Sequence, residues 1–237
     1  MKLSIIVPVY NEERTIAEVI ARVLAVDLGA IEKEVIIAND GSHDETRHVI
    51  EASGWIRDPR VRVYESPINL GKGAAVRLGL AFATGDVLLI QDADLELDPA
   101  EYGALLEPIL AGQTDVVYGS RFSRRARGIP WRTRAANRFL TMLTNALFGV
   151  RLTDMETAYK VFRREAIKDL RLRCVGFDFE PEVTARLLAA GRRILEVPIT
   201  YRPRRADEGK KIGWMDGVDA AYALIKCRLT KSVTSDK

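Results

Sequence analysis

The sequence predicts an α/β fold in which helices cover a mainly parallel central sheet. Short β-branched runs alternate with helix-period segments through the first half of the chain, the pattern of a parallel sheet with crossover helices. The apolar share is 47% over 237 residues, enough for one large core. Several of the apolar runs end in short polar turns, which places those turns along one edge of such a sheet.

Taken in order, Leu3 to Val9 reads as the first strand and Arg14 to Val26 as the first helix. Glu34 to Asn39 is the second strand, followed by a helix over Asp44 to Ala52. Val61 to Tyr64 is a short strand, Gly73 to Ala83 a small-residue helix and Val87 to Gln91 a buried strand. A proline opens the helix at Pro99 to Leu110, and Val116 to Tyr118 is again extended. The second half is less regular: a basic and then apolar segment from Arg121 to Val150, a strand over Thr157 to Phe162, a helix over Pro181 to Ala190, a strand over Ile194 to Tyr201 and a helix over Trp214 to Leu229. No internal repeat or long linker divides the chain, so one domain is expected over 1–230, with a short tail at 231–237.

Lys and Arg (36) barely outnumber Asp and Glu (33), a balance that argues against a nucleic-acid-coating or disordered protein. Cys174 and Cys227 lie far apart without a CxxC spacing, which gives neither a disulfide framework nor a metal knuckle and suits a reducing cytoplasm. The apolar run at the N-terminus is too short for a signal-peptide core and is interrupted by Pro8. No stretch reaches the roughly 18 apolar residues that cross a bilayer, so no transmembrane domain is expected. His43 and His48 are expected on the surface of the second helix, and no GxSxG elbow supports acyl transfer.

Gln91-Asp92-Ala93-Asp94-Leu95-Glu96 carries the most chemistry, because it follows the buried strand Val87 to Ile90. Carboxylates at the carboxyl end of a parallel strand lie where open α/β sheets bind ligands. Asp92, Asp94 and Glu96 offer hard oxygen ligands of the kind that suit Mg²⁺ or Mn²⁺ and, through the metal, a diphosphate. A helix-capping turn is the competing reading, since Asp98-Pro99 follows at once. Asn39-Asp40-Gly41-Ser42 and Pro8-Val9-Tyr10-Asn11-Glu12 end two further strands on the same edge. Turn chemistry alone explains each of them; together they form one crevice, in which Asp40 could accept hydrogen bonds from a nucleobase while Tyr10 and Glu12 contact base and ribose. Asn69-Leu70-Gly71-Lys72-Gly73 resembles a phosphate loop without the nucleotide P-loop spacing, and close packing of a small-residue helix accounts for it equally. Lys72 receives no chemical role.

From Val116 to Thr153 there is no acidic residue, whereas Arg stands at 121, 124, 125, 127, 132, 134, 138 and 151. Such segregation in a nearly neutral chain points to an anionic partner or surface. Trp131, Phe139, Leu140, Met142, Leu143, Ala146, Leu147 and Phe148 then form a broad apolar helical face. An interfacial helix at an anionic membrane and a core helix beside a solvated Arg-rich loop are the two readings.

As a set, Val7-Pro8-Val9-Tyr10-Asn11-Glu12, Asn39-Asp40-Gly41-Ser42, Asp92-Ala93-Asp94 and Gly119-Ser120-Arg121 resemble family 2 glycosyltransferases of the GT-A fold. Within that family the likeness is to dolichyl- or polyprenyl-phosphate mannosyl- or glucosyltransferases, over almost the whole chain. The resemblance implies that Pro8, Tyr10, Glu12, Ala38 and Asp40 line a nucleoside pocket and that Asp92, Ala93, Asp94 and Glu96 meet the metal and diphosphate. Arg121 would contact phosphate, and the segment from Arg205 to Lys211 would close over the donor. Two departures bear on the donor sugar: Glu96 stands where the mannosyltransferases usually carry Gln, and Thr153-Asp154-Met155-Glu156-Thr157 is not their usual version.

The expectation is therefore an inverting, metal-dependent hexosyltransferase that moves mannose or glucose from a nucleoside diphosphate sugar to a polyprenyl phosphate. The catalytic set would be Asp92, Asp94 and Arg121, with Arg121, Arg134 and Arg138 at the acceptor phosphate. The enzyme would sit peripherally on the cytoplasmic face of an anionic membrane, with no nucleic-acid partner. A lipid phosphate is already anionic and needs no general base. Transfer to a sugar or protein hydroxyl would need one, for which Asp154, Glu156 and Asp178 are available, and a third reading is a catalytically silent nucleotide-sugar-binding protein.

Overall fold

The computed structural model describes residues 1–122, 128–203 and 214–230. In chain order the elements are β1 (Lys2–Val9), α1 (Ile16–Ala25), β2 (Glu32–Asn39), α2 (Thr46–Ala52), β3 (Val61–Glu65), α3 (Lys72–Phe82), β4 (Val87–Ile90), α4 (Tyr102–Leu110) and β5 (Val116–Ser120). There follow α5 (Trp131–Phe148), β6 (Lys160–Arg163), α6 (Arg164–Ile167), α7 (Phe179–Ala189), β7 (Ile194–Pro198) and α8 (Trp214–Leu229).

The strands form a seven-stranded sheet in the order β3-β2-β1-β4-β6-β5-β7. The β1–β2, β2–β3, β1–β4 and β5–β7 pairs are parallel, whereas β6 runs antiparallel to both β4 and β5. Successive strand residues point to opposite faces, and the core divides accordingly. Leu3, Ile5, Val7 and Val9 of β1 pack with Ile16, Val19, Ile20 and Val23 of α1 and with Leu105 and Ile109 of α4. Ile6 faces the other way, onto Val76 of α3 and a cluster that includes Phe179 and Val183 of α7. The apolar set in α1 recurs at helical spacing, so one stripe of it meets the sheet.

Gly79 explains the small-residue composition of α3: a Cβ there would run into Cγ2 of Ile6, so the helix lies directly on β1. The turn before α4 is capped as the sequence suggested, with Asp98 accepting from Ala100 N at 3.1 Å and Pro99 opening a single 3₁₀ turn. Two strand ends and one short helix in the second half differ from expectation. The strand expected over Thr157 to Phe162 begins only at Lys160; before it, Tyr159 O still accepts from Gly119 N at 2.9 Å, but Gly119 O is taken by the Thr157 hydroxyl at 2.5 Å. β7 ends at Pro198 rather than Tyr201, and Arg202 N donates instead to Glu96 O at 2.9 Å. The short α6 was not expected.

The strand order reverses direction between β1 and β4. In open α/β sheets the crevice beyond the carboxyl ends of the strands at such a switch point is where ligands bind, and the turns after β1, β2, β4 and β5 all open on that edge.

Candidate active site

A cavity of about 700 Å³ occupies this edge. Pro8, Tyr10, Glu12, Asp40, Asp92, Ala93, Asp94, Glu96 and Arg121, from four strand ends, all line it. Ala38, expected among them, is fully buried within β2 and does not line the cavity.

The turns after β1 and β2 are fastened to each other. Asn11 N donates to Ser42 Oγ at 3.0 Å, His43 N to Asn11 Oδ1 at 2.9 Å and Glu12 N to Thr46 Oγ1 at 2.8 Å. Asn11 takes a left-handed conformation, φ 51°, which Asn tolerates better than most residues. Asp40 has a task the sequence did not suggest: its Oδ1 accepts from Leu70 N at 3.0 Å and its Oδ2 from Gly71 N at 2.6 Å. It clamps the loop before α3, and each oxygen keeps one further lone pair for a ligand.

That clamp decides the reading of the glycine loop. Gly73 N and Ala74 N donate to Gly176 O and Val175 O, both at 3.0 Å, and a Cβ on Gly71 would run into Val175 O. The backbone donors that a phosphate cradle requires are thus largely used within the fold, and the glycines serve close packing. Lys72 instead acquires a role through its side chain. Its Nζ lies 2.9 Å from Asp92 Oδ1 and 2.8 Å from Glu180 Oε1. Burial alone would lower its pKa, but the two carboxylates outweigh that and hold the ammonium ion charged.

Behind Asp92, the buried Gln91 accepts from the hydroxyls of Tyr102 and Tyr159, each at 2.7 Å, and donates from Nε2 to Asp92 O at 2.9 Å. Two tyrosines and one amide therefore fix the peptide that carries the carboxylate. Farther along, Leu95 is held at φ 61°, unfavourable for a side chain of its size, while Asp94 Oδ1 accepts from Glu96 N at 3.1 Å. Glu96 Oε2 accepts from Tyr201 OH at 2.7 Å.

The three carboxylates expected at a metal, Asp92, Asp94 and Glu96, all line the cavity but differ in their surroundings. Among the described residues no three His, Cys, Asp or Glu side chains are grouped to hold an ion, and Glu96 is turned to Tyr201. Asp92 and Asp94 both remain on the cavity wall. Two carboxylates fit Mg²⁺ or Mn²⁺ when substrate phosphates and water complete the shell, and the Lys72 ammonium ion at Asp92 marks a position that favours positive charge.

Arg121 is anchored by Asp154. Nε reaches Oδ2 at 2.7 Å and Nη2 reaches Oδ1 at 2.8 Å, in a two-point fork, and Arg121 N adds a third bond to Oδ2 at 2.9 Å. Asn137 of α5 donates to the same Oδ1 at 2.8 Å. The loop carrying Asp154 is held from β7, where Glu196 accepts from Thr153 N and Asp154 N. The Arg121 guanidinium also lies over the Tyr201 ring, 5.2 Å from its centre. Burial opposes its charge, Asp154 more than compensates, and the pKa is raised. With Nε and Nη2 on Asp154, Nη1 is left for a ligand oxygen.

The three carboxylates suggested as possible bases also separate. Asp154 is fully buried in the Arg121 fork, and Asp178 Oδ1 accepts from Gly176 N at 2.8 Å. Glu156 lines the cavity.

The apolar face expected on α5 divides in two. Leu140, Leu143, Leu147 and Phe148 pack inward with Ala220 and Leu224 of α8, whereas Trp131, Phe139 and Met142 are exposed. Thr133, Ala136, Asn137 and Leu140 line the cavity. Arg134 and Arg138 follow the cavity-facing Thr133 and Asn137 by one residue each, about 100° around the helix; both are exposed and neither lines the cavity. Val218, Tyr222, Ile225 and Leu229 on α8 are exposed at helical spacing. No helix among the described residues is long and apolar enough to cross a membrane. Arg124, Arg125, Arg127, Arg205 and Lys211 lie outside the described residues.

Lys72, Glu180, Tyr201 and Asn137 are the site residues that the sequence reading missed. A lysine directly after the glycine that opens α3 was a usable signal for the first. The other three sit within ordinary helix or strand patterns that mark no chemistry.

Comparison with known proteins follows the same lines. The family model described as Glycosyl transferase family 2 matches residues 4–171. Glycosyltransferase AglD of Haloferax volcanii is 32% identical over 86% of this chain, which spans only 34% of that protein. An undecaprenyl-phosphate 4-deoxy-4-formamido-L-arabinose transferase of Aeromonas hydrophila subsp. hydrophila is 30% identical over 96% of this chain and 68% of its own length. A polyprenol monophosphomannose synthase of Mycolicibacterium smegmatis is 29% identical over 94% and 84% respectively. Among solved structures, glucosyl-3-phosphoglycerate synthase from Mycobacterium tuberculosis, in complex with Mn²⁺, UDP-glucose and phosphoglyceric acid, superposes with a TM-score of 0.72. It is 25% identical, over 96% of this chain and 79% of that one.

Proposed function

Since this chain belongs to glycosyl transferase family 2, we propose that it transfers a hexose, mannose or glucose, from a nucleoside diphosphate sugar to a polyprenyl phosphate with inversion at the anomeric carbon. The observation that carries this reading is the make-up of this cavity. Asp92, Asp94 and Arg121 share it with an apolar wall of Ile129, Pro130, Ala136 and Leu140 at the start of α5. A charged end and an apolar side in one space suit a ligand pair of diphosphate and lipid. The undecaprenyl-phosphate and polyprenol relatives support the acceptor class by their names.

Each residue then has a task. The turns carrying Pro8, Tyr10, Glu12 and Asp40 hold the nucleoside. Asp92 and Asp94 would hold a Mg²⁺ or Mn²⁺ ion, which when bound neutralises charge on the diphosphate; the Mn²⁺ complex of the phosphoglycerate enzyme supports metal use. Arg121, oriented by Asp154, offers its remaining N–H groups to phosphate oxygens where charge builds up. An acceptor phosphate oxygen attacks the anomeric carbon as the bond to the leaving diphosphate breaks, so the products are a sugar phospholipid and a nucleoside diphosphate. No proton has to be removed from the acceptor, which agrees with the commitment of the buried Asp154 to Arg121 and Asn137. Arg134 and Arg138, turned outward beside Trp131, Phe139 and Met142, are assigned to an anionic membrane surface, at which the protein sits peripherally.

The test is a transfer assay with Mn²⁺ and either GDP-mannose or UDP-glucose, comparing a polyprenyl phosphate with the matching polyprenol. Product is expected from the phosphate alone. Equal transfer to the polyprenol or to a soluble sugar would replace this reading with a hydroxyl-acceptor transferase.

A further inference from the structure

One oxygen of Glu156 stands apart from the groups around it. Its Oε1 is buried, and among the described residues it has no hydrogen-bond partner, although the residue lines the cavity next to groups that are all engaged. Glu180 from α7 holds Lys72, and Arg121 and Asp154 hold each other. Lys160 of β6, close enough to influence Glu156 electrostatically, gives its Nζ to Met155 O at 2.9 Å and Thr157 O at 2.5 Å. Buried polar groups are nearly always satisfied, and an orphan in a cavity calls for a ligand.

The neighbours narrow the ligand's chemistry. Charges of both signs act on Glu156, Glu180 and Asp154 against Lys160 and Arg121, and burial disfavours a further charge there, so a neutral polar group is favoured. Burial and the Glu180 charge push the Glu156 carboxyl well above its usual range, with Lys160 and Arg121 opposing. With or without its proton the side chain can pair with a hydroxyl, which both donates and accepts. The neighbours also place it. The charges acting on Glu156 are those of Glu180, Lys160, Arg121 and Asp154, and Glu180 shares the Lys72 ammonium ion with Asp92, so Glu156 is grouped with the residues proposed at the diphosphate and not with the turns at Pro8 to Glu12 and Asp40 proposed at the nucleoside.

We propose that Glu156 is a sugar-recognition residue, binding a hydroxyl of the hexose that is transferred. This rests on the nucleotide-sugar reading of the cavity and adds to it the residue that distinguishes the sugar from the diphosphate.

Calorimetric titration of the full chain with Mn²⁺ tests it, using GDP and UDP alone against GDP-mannose and UDP-glucose. In Glu156→Ala the free nucleoside diphosphate should bind within about twofold of the parent, while the complete donor weakens about tenfold, the loss of roughly one satisfied hydrogen bond. Glu156→Gln keeps a donor and an acceptor and should recover most of the affinity. Neither variant should unfold at a lower temperature, because each removes a buried group that lacks a partner. Parent-like binding of both ligands by Glu156→Ala overturns the proposal and leaves the nucleotide-sugar reading standing. So does a large fall in turnover with donor affinity unchanged in both variants, which would make Glu156 a base for a hydroxyl acceptor. If the parent itself binds no nucleoside diphosphate, the reading on which the proposal rests fails first.

Discussion

Lys72 and Asp92 are joined through an ammonium ion that sits 2.9 Å from Oδ1 and 3.1 Å from Oδ2 of the carboxylate. The first residue of α3 thereby neutralises the strand-end acid on which metal binding is proposed, and Glu180 shares the same ammonium ion. Replacing Lys72 by Met leaves two carboxylates facing each other. Breaking one side of a buried pair costs about 3–5 kcal/mol, so the unfolding temperature should fall by roughly 6 °C or more. Mn²⁺ with a nucleoside diphosphate should restore part of the loss, since a divalent ion re-neutralises Asp92. A thermal-shift series with and without Mn²⁺ reads this directly, and a deficit that the metal leaves unchanged would restrict Lys72 to a structural role.

Asp92 and Asp94 should respond differently to truncation. Asp94 is half-exposed on the cavity wall and lies outside the apolar core, so Asp94→Ala should change the unfolding temperature little. Transfer should fall at least about 100-fold, as for loss of other single electrostatic groups. Asp92→Ala should lose activity and stability together, because it releases Lys72. Turnover of either variant at the parental rate in EDTA would remove the metal from the mechanism.

Asp154 holds Arg121 by a fork that lysine lacks the geometry to make. Arg121→Lys should therefore lose about 2–4 kcal/mol of transition-state stabilisation even though the charge is kept. Asp154→Asn should reproduce much of that loss without touching the ligand. Steady-state kinetics on both variants decides it: parental kcat/KM in Asp154→Asn would show that Arg121 is oriented without the carboxylate.

Acid stability depends on the opposite edge of the sheet. Glu34 is buried, which alone would raise its pKa, but Lys2 at 2.6 Å, Ser4 at 2.5 Å and Thr84 N at 2.6 Å lower it to about 2. The folded value lies below the ordinary 4.5, so this contribution is fully present above pH 4.5 and is lost as the pH falls toward 2. Its ceiling is about 3 kcal/mol. Denaturant titrations across that window should show the loss in the parent and a flatter profile, from a lower starting stability, in Glu34→Gln.

Membrane attachment is proposed through Trp131, Phe139 and Met142 of α5, with Tyr222 and Leu229 of α8 as a second exposed apolar face. Replacing Phe139 and Leu229 by Ser should lower partitioning to anionic liposomes by about tenfold or more, given the transfer energy of large apolar side chains. Salt should weaken binding as well, because exposed charges are screened over roughly 8 Å at physiological ionic strength. Flotation assays that find no liposome binding by the parent at low salt would remove the membrane from the proposal.

Most elements, and the strand ends that carry the chemistry, are legible in the sequence. β-Branched runs such as Val35 to Ala38 and Val87 to Ile90 form strands wherever they fold, and a polar turn after such a run falls at the sheet edge. That is why Pro8, Tyr10, Glu12, Asp40, Asp92, Asp94 and Arg121 were all legible, and why the structure brings every one of them to the same cavity. These are local properties, carried by the period of the side chains along a few residues.

Tertiary structure decided what those residues are bonded to. Nothing near Asp92 in sequence indicates Lys72 or Glu180, and nothing near Arg121 indicates Asp154; each pair forms because crossover helices and the antiparallel β6 return distant segments to one edge. The same return turned Glu96 to Tyr201, gave both oxygens of Asp40 to the loop at Leu70 and Gly71, and buried Leu140, Leu143 and Leu147 of α5 against α8 while Phe139 and Met142 stayed exposed. Periodicity shows that a helix has an apolar face, but which part of a broad face is covered depends on where the neighbouring helices pack. The partner of a buried charge is likewise set by strand order, which no window of a few residues contains.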